Sequence, residues 1–61
     1  MYMRYIVRFY VDGELKRSEF NRWEDALNEG RYIYAAGIDT DVDIKDDYYD
    51  VIFNVREEAW Y

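Results

Sequence analysis

Cysteine, histidine and proline are absent from this chain of 61 residues. Lack of cysteine excludes a disulfide framework and a thiol nucleophile. Lack of both cysteine and histidine excludes a Cys/His zinc site, and lack of imidazole excludes catalysis or a pH switch that depends on it. Ser18 and Thr40 are the only serine and threonine, so an activated hydroxyl beside a base has almost no material. Gly13, Gly30 and Gly37 are too scattered to form a phosphate-cradling loop. Paired carboxylates are plentiful, but acid–base work needs a concave, partly dry site that so short a chain struggles to build. No apolar run approaches the ~20 residues of a membrane span. Arg4 and Arg8 interrupt the N-terminal segment, which does not read as a signal peptide. The expectation is a cytoplasmic protein that is not an enzyme and uses no cofactor and no metal.

What the chain does have is aromatic mass: eight tyrosines, three phenylalanines and two tryptophans. A domain this small buries only ~60% of the surface its unfolded chain exposes, and most such domains add a staple. With disulfides and Cys/His metal sites excluded, an aromatic core or self-association must supply the stability.

Alternation organises the first third. Met3, Tyr5, Val7, Phe9 and Val11 share one strand face, and Tyr2, Arg4, Ile6, Arg8 and Tyr10 share the other. Asp12-Gly13 supplies the positive-φ pair of a two-residue hairpin turn. An edge strand follows over residues 14–20, its charged side chains discouraging further pairing. A strict two-residue turn sets Arg8 opposite Arg17; a four-residue loop sets it opposite Glu19 instead. Asn21 with Glu24 reads as a helix N-cap and capping-box partner. Trp23, Ala26, Leu27, Gly30 and either Ile33 or Tyr34 recur at helical spacing, and Gly37 closes the helix, predicting one helix over residues 22–36. Trp23 is expected in the core. Val42 and Ile44 alternate with aspartates as a short strand with one wet face, Asp46-Asp47 is a turn, and residues 48–56 form a strand. Residues 57–61 either extend that strand or hang free. The expected fold is α+β: a single domain over residues 1–61, with an antiparallel sheet of three or four strands, one helix on a face, and the order ββα followed by one or two strands.

Charge is divided unevenly. Residues 1–38 hold six acids and six bases, whereas residues 39–61 hold eight acids against Lys45 and Arg56, giving a formal charge of -6. The acidic segment 39–50 places Asp39, Asp41, Asp43, Asp46, Asp47 and Asp50 beside Tyr48 and Tyr49. Carboxylates alternating along a strand recur about every 6–7 Å, comparable with the charge spacing of a phosphate strand. The segment would therefore meet a basic surface on a partner protein much as nucleic acid does. In size, acidity and tyrosine content the chain is similar to the small acidic inhibitors encoded by bacteriophages, a likeness of composition. Asp39, Asp41, Asp43 and Asp50 also stand at the first, third, fifth and twelfth positions of a calcium loop. Ile44 stands where that loop needs glycine, so no metal site is assigned.

The Tyr2, Arg4, Ile6, Arg8 and Tyr10 face, with Ile52, carries residue types favoured at protein interfaces and is expected to form a homodimer contact. Direct nucleic-acid binding there is not expected, because the acidic remainder repels phosphate. The expected function is thus a noncatalytic protein-binding module, with a nucleic-acid mimic or inhibitor as its narrower form. The alternative is a self-associating structural protein whose acidic segment only confers solubility.

Overall fold

A computed structural model of the chain describes residues 4–48 and 50–61. Five strands and one helix follow in the order β1 (Tyr5–Val11), β2 (Glu14–Phe20), α1 (Trp23–Ala35), β3 (Asp43–Lys45), β4 (Val51–Asn54) and β5 (Ala59–Trp60). They form one antiparallel sheet in the spatial order β2-β1-β3-β4-β5. The fold is α+β with one helix, as expected. The strand count is higher than expected, because the acidic strand and the chain's last residues both pair. β3 inserts beside β1, so the connection through α1 crosses the sheet and joins two hairpins into one layer.

The β1–β2 hairpin has the strict two-residue turn. Asp12 at φ +52° and Gly13 at φ +81° supply the two left-handed residues it requires, and Arg8 lies opposite Arg17. The N-cap is Arg22, whose side chain makes no capping bond, rather than Asn21. Glu24 and Asp25 in the first turn still complement the positive end of the helix. Its other end is as expected: Gly37 at φ +73° donates to the Tyr34 carbonyl and Ile38 to the Ile33 carbonyl, closing a Schellman motif.

One face of α1 buries Ala26, Gly30 and Ile33 on the sheet, against Val7, Val42, Ile44, Phe53 and Val55. Gly30 is where helix and sheet come closest. A Cβ there would stand 2.9 Å from Cγ2 of Val55. Trp23 joins the edge of this core through rings on three strands: Tyr5 at 5.5 Å and Phe53 at 5.3 Å edge-on, and Trp60 stacked at 4.6 Å.

Two expectations about the uncovered face change. Ile6 lies on it, as alternation requires, but is only 3% exposed. Its cross-strand neighbours are Glu19 and Lys45, and the stems of such long side chains shield apolar surface. Ile52 does not share that face. Ile44 pairs with Phe53, but Lys45 pairs with Val51, so Ile52 is the extra residue of a bulge and packs against the core. Val51 takes the open-face position instead.

Candidate functional site

The six aspartates of segment 39–50 do not form one carboxylate row. Asp39 turns back on the chain: Oδ2 accepts the Tyr10 N–H at 2.7 Å and Oδ1 accepts the Asp41 N–H at 3.1 Å. These bonds, that from Tyr10 foremost, hold its carboxyl below the ordinary 3.8. Asp46 closes the β3–β4 loop, its Oδ1 accepting the N–H groups of Tyr48 at 2.9 Å and Asp50 at 3.1 Å. Asp47 reaches the residue that precedes β1, accepting the Arg4 N–H at 2.9 Å and lying 3.5 Å from the Arg4 guanidinium.

Asp43 departs furthest from the expected wet strand face. It is 7% exposed, accepting from Arg8 at 2.7 Å and from the Asn54 amide at 3.1 Å. The reason is topological. β3 is the central strand, so Asp43 has a neighbour on each side, Arg8 on β1 and Asn54 on β4. Alternation in the sequence shows which way a side chain points, not what flanks it.

Asp41 and Asp50 are left exposed, together with Tyr48, which is 83% exposed. Tyr49 lies outside the described residues. Among the described residues, no cluster of three or more acids is placed to hold a metal ion.

Three of the interface residues expected on β1 are accounted for. Arg4 pairs with Glu19 at 2.8 Å and with Asp47, Arg8 pairs with Asp43, and Ile6 is buried. Tyr10 remains exposed. Tyr2 lies outside the described residues.

The structure also assembles a surface that the sequence reading left open. β5 runs antiparallel to β4, with Trp60 opposite Phe53 and the Tyr61 N–H bonded to the Ile52 carbonyl at 3.0 Å. The last two residues therefore lie beside the end of β4 that leaves the Asp46–Asp50 loop. Trp60 is 63% and Tyr61 72% exposed. Tyr48 and Asp50, also exposed, lie in the loop that leads into β4. The missed signal was the turn over residues 55–58, which contains no glycine or proline; Glu58 takes φ +51° to make it.

No helix of the described residues is long and apolar enough to cross a membrane. No protein-family model matches the chain, and no curated protein or solved structure matches it either.

Proposed function

We propose that the chain is a noncatalytic protein-binding module whose exposed aromatic and acidic side chains engage a basic surface on a partner protein. The observation that carries this reading is the exposure of three large aromatic side chains, Tyr48, Trp60 and Tyr61, alongside the exposed Asp41 and Asp50. Large aromatic side chains supply much binding energy for little rotamer entropy. Net charge of -6 favours encounter with a positive partner. Of the expected acidic contacts, Asp41 and Asp50 are free to serve, while Asp39, Asp43, Asp46 and Asp47 hold the loops and strands that present them. Nucleic-acid mimicry is the narrower form, in which the partner surface otherwise takes phosphates.

The test uses surface substitutions that spare the structural aspartates. A Tyr48→Ser, Asp50→Asn, Tyr61→Ser variant is compared with wild type for capture of a defined basic protein, in low and raised salt. The reading requires capture by wild type that weakens with salt and is lost in the folded variant. Equal capture by both would refute it. Competition by an oligonucleotide separates mimicry from other basic surfaces.

The second reading is self-association in a protein without a heterologous partner. It is favoured by one sheet face without a helix and by the outer edges of β2 and β5, neither of which has a neighbouring strand among the described residues. Sedimentation across a wide concentration range distinguishes it: a monomer at every concentration would exclude it.

A further inference from the structure

Three cations, Arg8, Arg17 and Lys45, are brought together on the open sheet face of a chain whose formal charge is -6. Arg8 lies directly opposite Arg17 of β2, and Ile6, two residues earlier on the same face, lies opposite Lys45 of β3. Like charges directly opposite destabilise a sheet. A slipped hairpin would relieve this by setting Glu19 against Arg8, yet the Asp12-Gly13 turn holds the register that keeps the cations together. The nearby carboxylates are already engaged, Asp43 by Arg8 at 2.7 Å and Glu19 by Arg4 at 2.8 Å. Among the described residues, neither Arg17 nor Lys45 has an ion-pair partner.

These side chains enclose a pocket of about 60 Å³, lined by Ile6, Arg8, Leu15, Arg17 and Lys45. Its polar contribution is wholly cationic and its apolar contribution is Ile6 and Leu15. Arg8 adds a buried Nε that has no hydrogen-bond partner among the described residues. We propose that this pocket binds one phosphate group, free or carried on a larger molecule. Water takes about 30 Å³ per molecule, so the space suits a single small oxyanion. Two guanidinium groups and an ammonium supply directional donors and a point charge, the usual chemistry of phosphate recognition. The apolar lining strengthens both by lowering the local dielectric. A bound dianion would also turn the Arg8–Arg17 opposition into a bridge. This site is independent of the binding surface proposed above.

The experiment is an amide NMR titration of the full chain with inorganic phosphate, with sodium chloride at matched ionic strength as control. Saturable shifts are expected at Ile6, Arg8, Arg17 and Lys45. Arg17→Gln and Lys45→Gln should each weaken binding by roughly tenfold or more, as expected for loss of a charged hydrogen bond. Without phosphate, Arg17→Gln should melt no lower than wild type, since it removes a repulsion. That result separates loss of binding from loss of fold. A short phosphoserine peptide identifies the source: tighter binding than inorganic phosphate supports a group carried on a partner chain, and equal or weaker binding supports the free ion. Shifts no larger than those in chloride, or unchanged in both glutamine variants, would overturn the proposal.

Discussion

Replacing Asp43 with alanine should remove a large share of the stability of this protein. The side chain accepts two hydrogen bonds, from Arg8 at 2.7 Å and from Asn54 at 3.1 Å, beneath a nearly closed surface. A hydrogen bond to a charged partner contributes about 1.5–3 kcal/mol, and a buried amide left without its acceptor adds a penalty of about 1–3 kcal/mol. The Arg8 side chain keeps 29% of its surface exposed and can turn partly to water, so the lower half of the first range applies. The sum is about 2.5–5 kcal/mol, against a total of roughly 3–9 kcal/mol for a domain of this length. Asp43→Asn keeps an acceptor for Asn54 and loses the charge, so about 1–2 kcal/mol is expected. Urea unfolding followed by tryptophan fluorescence measures both. With a slope of about 1 kcal/mol/M, the alanine variant should lose roughly 2.5–5 M in midpoint or fail to fold. A loss below about 1 kcal/mol would refute the reasoning, because the two bonds would then not be made in the folded protein.

Gly30→Ala should destabilise by about 1–2 kcal/mol, although alanine is the better helix former, because the added methyl meets the stiff Val55 side chain at 2.9 Å; thermal melting gives the sign. Trp60→Ala removes ring contacts with Trp23 and Phe53 from a half-open site, and about 1–2 kcal/mol is expected in urea unfolding. Asp39 binds a proton less readily folded than unfolded. Its contribution to stability is therefore complete above about pH 4 and disappears as pH falls through its lowered folded value. The stability difference between wild type and Asp39→Asn should accordingly shrink from pH 7 to pH 2.5, and a constant difference would contradict it.

The first 38 residues are legible because their signals are local. Alternation, Asp12-Gly13, the helical spacing and Gly37 each act within a few residues, and strand β2, the helix and its C-terminal cap follow from them. The later residues depend on partners far away in sequence. The burial of Asp43 requires knowing that β3 lies between β1 and β4. The inward turn of Ile52 requires the bulge opposite Lys45, and the pairing of β5 has no turn residue to announce it. Segment 39–50 was conspicuous for the same reason that it misled: charge density marks a segment without saying which carboxylates the fold itself uses. Asp39, Asp43, Asp46 and Asp47 are engaged within the chain, and only contacts across the sheet distinguish them from Asp41 and Asp50.

The three-residue strand β3 has a consequence for how the molecule assembles. The β1–β2 hairpin, the helix and the β4–β5 hairpin each close over short stretches of chain. The seam between the hairpins joins Arg8 to Asp43 across 35 positions, and only three residue pairs line it. Ordering so long an intervening segment before any contact rewards it makes seam closure the slow event in folding. The Asp43–Arg8 pair then forms at the crest of the barrier. Substitutions at Asp43 should slow folding as well as accelerate unfolding, and stopped-flow kinetics in urea would show how the loss divides between the two limbs. A protein this small is thus two rapidly formed halves whose lifetime as one unit is set by a narrow zipper.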